Sequence, residues 1–372
     1  MQVAIVHDWL TNMGGAEKVV ESLMDIYPNA PIYTSMVNMS NISEKFHGRE
    51  IITSFLQNRV RGNKVNHQKY LAFMPAAFES FDLSGYDVVL SSSSSCAKGV
   101  VTSPGALHVC YCHTPMRYGW EFYCDYIKEF GKLKKMLVKY FMSYMRMWDL
   151  ASSSRVDCFI ANSENVALRI GKHYRRGAEV IHPPVNTDYF TADGSPKADY
   201  FLCVSRLVPY KRIDIAVKAF SELGLPLVVI GGGSELEPLR SIAGPNIAFL
   251  GRQPDGAVRE HYRKCRAFVF PGEEDFGIAP VEAQACGSPV IAFGGGGALE
   301  TVIGGRTGMF FGEQTAESLI EAVRKFDSMS FDGRACRENA ERFSAPLFEK
   351  RISGFIHRKY DDFIGGRRGF DA

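Results

Sequence analysis

The stretch Ala267-Phe268-Val269-Phe270-Pro271-Gly272-Glu273-Glu274-Asp275-Phe276-Gly277-Ile278-Ala279-Pro280-Val281-Glu282-Ala283-Gln284-Ala285-Cys286-Gly287 decides the fold. It reads as strand, turn and helix. Ala267–Phe270 is short and apolar, as a buried strand is. A run of small residues follows Gly277 and stops at Gly287, a residue type that ends helices. Gly287-Ser288-Pro289 leads into another apolar run, Val290–Phe293. Strand, helix, strand is the unit of a parallel sheet. Glu274 then lies in the strand-to-helix loop, and Glu282 about one turn inside the helix. The amides of Gly277 and Ile278 open that helix, and amides at a helix start attract phosphate. Carboxylates accept hydrogen bonds from sugar hydroxyls. Phosphate and sugar together point to a nucleotide-sugar. A pair of glutamates on a helix is ordinarily only solvated; the strand before this pair and the Phe276-Gly277 turn set it apart.

The same alternation runs outward in both directions. Strands are expected at Val3–Val6, Val88–Leu90, His108–Cys112 and Cys158–Ala161, and again at Phe201–Val204, Leu227–Ile230, Ile247–Leu250, Ala267–Phe270, Val290–Phe293 and Met309–Phe311. A chain of 372 residues is long for one core. The expectation is an α/β protein of two Rossmann-like, doubly wound domains facing a cleft, one over 1–182 and one over 183–346. Pro183-Pro184 makes a stiff connection and a plausible hinge between them. The serine run Ser91–Ser95 reads as a loop over a site. The tail from Pro346 reads as a helix, with Phe348, Ile352, Phe355, Ile356, Tyr360 and Phe363 near one face. This helix (347–365) either closes the second domain or packs back on the first.

Composition excludes several classes. Net charge is +2, which argues against dedicated nucleic-acid binding. The nine cysteines show no Cys-x-x-Cys spacing, so they read as buried thiols in a reducing compartment rather than a metal site. The N-terminus lacks the pattern of a signal peptide, and no run is apolar enough to span a bilayer. A cytoplasmic location is expected, with peripheral attachment to the inner face of the plasma membrane left open.

Further motifs sit where parallel strands end, the edge at which such sheets bind ligands. Ser205-Arg206-Leu207-Val208-Pro209-Tyr210-Lys211 follows a strand, and a helix is expected to begin near Lys211. Arg206 offers a planar fork to phosphate and Lys211 a point charge, so the two suit a diphosphate. Gly231-Gly232-Gly233 and Gly294–Gly297 follow strands too. They allow a close ligand approach or simply a tight turn. Gly14-Gly15 follows the first strand and could offer amides to phosphate. It lacks the Gly-x-Gly-x-x-Gly pattern, which disfavours NAD. His113-Thr114-Pro115 places a histidine at the end of a strand.

Taken in order, these elements resemble a large family of retaining glycosyltransferases of GT-B architecture, family four. They are Gly14-Gly15, His113, Asn162-Ser163, the Ile181 to Asn186 connection, Ser205-Arg206 with Lys211, and Glu274 with Glu282. The stretch from Lys98 to Trp120, with Cys112-His113-Thr114-Pro115-Met116-Arg117-Tyr118, resembles bacterial mannosyltransferases of O-antigen and exopolysaccharide assembly. The resemblance implies a donor site of Gly14, Gly15, Ser205, Arg206, Lys211, Gly231, Gly232, Glu274, Phe276, Gly277, Ile278 and Glu282. Within it Arg206 and Lys211 hold the diphosphate, Glu282 the ribose, and Glu274 the transferred sugar. His113 contacts the sugar near the anomeric carbon. Asp275 stands where the family often has glycine, and Glu273 adds an acid before the pair. The implied reaction moves a hexose, mannose from GDP-mannose, to a hydroxyl of a lipid-linked oligosaccharide or polysaccharide precursor. No cofactor and no metal are expected: the Asp-x-Asp motif of the other large glycosyltransferase architecture is missing, and the two cations would replace it. Alternatives are a UDP-sugar transferase, an epimerase or phosphorylase of the same architecture, and a non-catalytic binder of sugar nucleotides. A phosphorylase would need a pyridoxal-binding lysine motif, which the chain lacks.

Two basic segments are interleaved with aromatic and aliphatic residues. Lys128 to Trp148 carries six cations and one acid, and Arg59 to Lys69 forms a second patch. Either suits an anionic membrane surface, and the first equally suits a core helix with a solvated basic face. The expected partners are therefore a nucleotide-sugar, a glycan or glycolipid acceptor and an anionic membrane through Lys128–Arg146 and Arg59–Lys69.

Overall fold

A computed structural model describes residues 1–59, 67–121 and 131–368. The chain forms two compact units, one of Met1–His182 with Phe348–Ala372 and one of Pro183–Leu347. In the first, β1 (Val3–His7), β2 (Ile32–Thr34), β3 (Ile51–Thr53), β4 (Val88–Ser93), β5 (Leu107–Cys112), β6 (Cys158–Ala161) and β7 (Ala178–Val180) form one sheet. Its order is β3-β2-β1-β4-β5-β6-β7, paired in parallel throughout. In the second, β8 (Phe201–Val204), β9 (Leu227–Ile230), β10 (Ile247–Gly251), β11 (Ala267–Phe270), β12 (Val290–Phe293) and β13 (Gly308–Phe311) form another. Its order is β10-β9-β8-β11-β12-β13, again parallel.

The strand order reverses once in each sheet, between β1 and β4 and between β8 and β11. Connections on the two sides of such a reversal leave over opposite faces, which opens a crevice beyond the strand ends. The residues that leave β1, β4, β8 and β11 are therefore the ones each unit offers to a ligand.

Two expectations change. Ser91, Ser92 and Ser93 are not loop: they are the last residues of β4, buried and paired with Cys110, Tyr111 and Cys112. A serine run can end a central strand because each hydroxyl finds a partner there; Ser91 Oγ lies 2.8 Å from His108 Nε2. The helix expected near Lys211 begins at Ile213. A 3₁₀ turn over Pro209–Lys211 precedes it, and Arg212 sits in the left-handed region at φ 52°. Strands β2, β3 and β7, each of three residues, carry too little pattern to be read from sequence.

The tail helix, Ala345–Arg368, buries Phe348, Ile352, Phe355 and Ile356 among Val3, Ile5, Val88 and Val109 of the first sheet. Each such side chain stabilises by roughly 1.5–3 kcal/mol before entropy is counted. The helix Lys132–Ser153 turns Met142, Met145 and Trp148 inward and exposes Met136, Leu137, Tyr140, Tyr144, Met147 and Leu150. Residues 128–130 of the first basic segment and residues 60–66 of the second lie outside the described residues.

Candidate active site

The second unit gathers its charges where β8 and β11 end. Lys211 Nζ pairs with Glu274 Oε1 and lies 5.3 Å from the centre of the Tyr210 ring. Arg206 is exposed, and its Nη2 donates to Tyr210 Oη at 3.0 Å. Glycines hold these loops together. A Cβ on Gly272 would stand 2.8 Å from the Lys211 carbonyl oxygen, so the two loop backbones touch. Gly297 N–H donates to the Glu274 carbonyl at 2.8 Å. Side chains at Gly296 and Gly297 would strike the Glu274 carbonyl and the Phe276 backbone, at 2.4 Å and 2.3 Å.

Gly231 serves packing as well. It has φ +143°, and its Cβ would overlap the Ser205 carbonyl oxygen at 1.8 Å. Its missing side chain admits the neighbouring loop. A Cβ on Gly232 would meet the Arg252 side chain at 3.5 Å. Ser205, which passes over Gly231, spends its hydroxyl on the Arg206 carbonyl at 3.1 Å.

Gly277, at φ +88°, opens the helix Ile278–Ala285 and brings no side-chain cap to it. Phe276 is buried against Phe343 and fixes the turn. Glu282 lies inside the helix, 8% exposed, and accepts from Tyr262 Oη at 3.2 Å. A carboxylate this covered stays put and can accept hydrogen bonds in a fixed direction.

The first unit gathers histidines instead. His7 ends β1, and Glu17 lies in the first turn of the helix Gly15–Ile26. His7 Nε2 is 3.5 Å from Glu17 Oε1. His7 Nδ1 is 3.1 Å from Ser92 Oγ, and Ser92 Oγ is 2.8 Å from His113 Nε2. Burial opposes charge on His7, but the Glu17 carboxylate and then Asp8 outweigh it and raise its pKa. Burial, and then the nearby His7, push His113 down to about 3, so its ring is neutral near pH 7. Asp8 pins the loop after β4, accepting from the amides of Ser94, Cys96 and Ala97 at 2.6, 2.8 and 2.7 Å. Gly14 has extended backbone, and its Cβ would meet Glu17 Oε2 at 3.1 Å. The carboxylate thus folds back over Gly14.

Two family models match the chain. Glycosyltransferase Family 4 matches residues 13–189, and Glycosyl transferases group 1 matches residues 187–343. The chain belongs to this glycosyltransferase family. It is similar to an uncharacterised glycosyltransferase of Methanocaldococcus jannaschii, 27% identical over 230 residues, which is 60% of this chain and 63% of that protein. It is also similar to the GDP-mannose-dependent alpha-(1-6)-phosphatidylinositol monomannoside mannosyltransferase of Mycobacterium tuberculosis, 32% identical over 174 residues, 39% of this chain and 45% of that enzyme. The matches thus span less than two thirds of either relative's own length. Among solved structures, Anabaena HepE in complex with UDP superposes with a TM-score of 0.73 over 96% of this chain and 100% of its own, at 16% identity. That likeness shows the fold, the two Rossmann-like domains of GT-B glycosyltransferases.

Among the family's expected site residues, the second unit brings Ser205, Arg206, Lys211, Glu274, Phe276, Gly277, Ile278 and Glu282 to one end of its sheet. The first unit does the same for Gly14, Gly15 and His113. Among the described residues, no group of three or more His, Cys, Asp or Glu could hold a metal ion, and no helix is long and apolar enough to cross a membrane. The sequence places Ser92 only within a serine run over a site, and His7 and Glu17 are not among its expected site residues. The signal was present: His7 ends an apolar strand just as His113 does, and the rule applied to one applies to the other.

Proposed function

We propose that this glycosyltransferase moves a hexose, mannose from GDP-mannose, to a hydroxyl of a lipid-linked oligosaccharide or polysaccharide precursor, with retention at the anomeric carbon. The observation that carries the reading is the Lys211–Glu274 pair beside Arg206 at the end of β8 and β11. A diphosphate needs fixed cations, and a sugar needs fixed acceptors. Here both stand on touching loops, each limiting the other's freedom. Arg206 and Lys211 hold the diphosphate and stabilise the charge that grows on it as the glycosidic bond breaks. Lys211 has three N–H donors, so it can serve phosphate and Glu274 together. Glu274 accepts from the hexose, and Glu282, steadied by Tyr262, accepts from the ribose. The first-turn amides of the helix Ile278–Ala285 face the donor, and His113 serves the sugar. The departing phosphate takes the acceptor's proton on the same face of the ring. The two cations supply the charge stabilisation, so no divalent metal enters the scheme.

Mannose is supported by the mycobacterial relative's name and by the Cys112 to Tyr118 resemblance. A thermal-shift panel tests it. GDP-mannose should raise the melting temperature more than UDP-glucose or UDP-N-acetylglucosamine, since a ligand that binds only the folded state stabilises it. A preference for a UDP-sugar would reassign the donor and leave the fold untouched.

The lipid part of the acceptor is supported by the helix Lys132–Ser153. Its exposed face carries Met136, Leu137, Tyr140, Tyr144 and Met147, with Lys139 among them. Apolar side chains flanked by cations suit an anionic bilayer surface, and would hold the protein peripherally at the inner face of the plasma membrane. Vesicles of anionic and zwitterionic lipid separate this from a neutral apolar contact. Binding should need the anionic lipid and weaken with salt.

A further inference from the structure

In the first unit a polar path leads to His113 through three residues that the donor chemistry does not use: Glu17, His7 and Ser92. Its members come from different elements that meet where β1, β4 and β5 end. Glu17 is on the helix Gly15–Ile26, His7 on β1 and Ser92 on β4, and His113 follows β5. His7 and Ser92 are 2% and 0% exposed. Water therefore does not choose where their protons sit; the neighbours do.

The hydrogen positions follow from what each neighbour can accept. His7 Nδ1 lies 3.2 Å from the Ser92 carbonyl oxygen and 3.1 Å from Ser92 Oγ. A carbonyl oxygen only accepts, so Nδ1 carries a hydrogen. His7 Nε2 lies 3.5 Å from a Glu17 carboxylate oxygen, which when ionised also only accepts. The charged groups facing His7 are Glu17 from the helix and Asp8 from the end of its own strand, with the neutral His113 beyond Ser92. Both carboxylates favour the imidazolium, with N–H on both nitrogens. Ser92 Oγ, receiving from His7, then has its own hydrogen for the other neighbour, His113 Nε2 at 2.8 Å. His113 Nε2 accepts, and the single proton of the neutral ring is on Nδ1.

We infer that Glu17, His7 and Ser92 are positioning residues that lock His113 in its Nδ1–H tautomer, so that His113 meets the sugar as a hydrogen-bond donor and not as a general base. This rests on the reading that His113 serves the transferred sugar. The consequence is specific. A neutral donor can bind a sugar hydroxyl or ring oxygen without drawing off a proton, which suits a reaction whose proton goes to the leaving phosphate. The charge on His7 remains paired with Glu17 and does not reach the sugar.

Nitrogen-15 spectra of the histidine rings read the tautomer directly, with no substrate present. The wild-type protein should show His113 as the Nδ1–H form from pH 6 to 8, with no titration step. Ser92→Ala should relax it to a mixture, and Ser92→Thr, which keeps the hydroxyl, should restore it. In transfer assays Ser92→Ala should lower kcat about tenfold, the worth of one hydrogen bond. KM for the donor should change little, and Ser92→Thr should recover most of the rate. An Nε2–H tautomer in the wild type overturns the inference, and so does an unchanged His113 signal in Ser92→Ala. A locked tautomer that relaxes in Ser92→Ala upholds the path even if no nucleotide-sugar is turned over. In that event the functional reading fails, and the path does not.

Discussion

Two lysine–carboxylate pairs can be compared, one in each unit. Lys98 and Asp149 are 1% and 0% exposed, and Lys98 Nζ contacts Asp149 Oδ1. Asp149 Oδ2 accepts from Trp120 Nε1 at 2.8 Å and from Tyr174 Oη at 2.9 Å. Lys98 Nζ also donates to the Ser95 carbonyl and lies 5.6 and 5.3 Å from the Trp148 and Tyr174 ring centres. Burial works against charge on Lys98, and Asp149 outweighs it and raises its pKa. Lys211 and Glu274 make the same contact between side chains that are 13% and 21% exposed, at the end of a sheet. The buried pair is consumed by the fold, since its partners are all protein. The partly buried pair keeps its charges within reach of a ligand. Two lysine–carboxylate pairs thus differ in what surrounds them: one faces only protein, the other a sheet end open to a ligand.

The largest expected effect is on the buried pair. Lys98→Met leaves Asp149 charged, buried and without its cation, which should cost about 3–5 kcal/mol of stability. Lys98→Met with Asp149→Asn should recover part of this. Denaturant unfolding measures both, and a Lys98→Met protein as stable as the wild type would erase the distinction between the pairs.

The next effect is acid sensitivity of the first unit. His108 is fully buried, and burial holds its pKa down to about 4, with the Lys98 and Arg155 charges adding to the effect. Below about pH 6.5 the unfolded chain takes up this proton and the folded chain does not. Stability is therefore present above that pH and is lost as pH falls through about 4. The shift corresponds to about 3 kcal/mol. His113, held near 3, acts in the same direction. His7, raised, acts oppositely: its contribution is full below about pH 6.5 and fades as pH rises. Melting temperatures from pH 7.5 to 4 should fall, and His108→Gln should flatten that limb.

For the partly buried Lys211–Glu274 pair the pattern inverts. Lys211→Ala should change stability by less than about 1 kcal/mol. Donor binding should weaken roughly tenfold to a hundredfold, and transfer more than that. Calorimetric titration with the donor and a transfer assay, each with EDTA as a control arm, read this. Full activity of the variant, or loss of wild-type activity in EDTA, would break the assignment. The smallest effect on stability is expected at the exposed face of the helix Lys132–Ser153. Lys135→Gln with Lys139→Gln should leave stability within about 0.5 kcal/mol and donor affinity unchanged, while weakening anionic vesicle binding most at low salt.

The sequence by itself determined the parallel sheets, the longer strands that build them, and the residues that leave those strands. Strand alternation and loop glycines are local signals, and Glu274, Glu282, Arg206, Lys211 and His113 could be placed because each follows such a signal. Tertiary structure alone decided the rest. Lys98 reads in sequence as an ordinary lysine, and only the fold brings Asp149, Tyr174 and the Trp148 ring around it. Gly231 reads as room for a ligand or as a tight turn, and only the fold shows the Ser205 carbonyl packed against it. The serine run after Leu90 reads as loop, and only the partners on β1 and β5 make it strand. The tail helix shows an apolar face from its periodicity, but not which sheet it covers. The physical reason is the same in each case. Periodicity and turn chemistry act between neighbours in the chain, whereas burial, ion pairing and proton placement act between residues that are far apart in sequence and meet only in the folded unit.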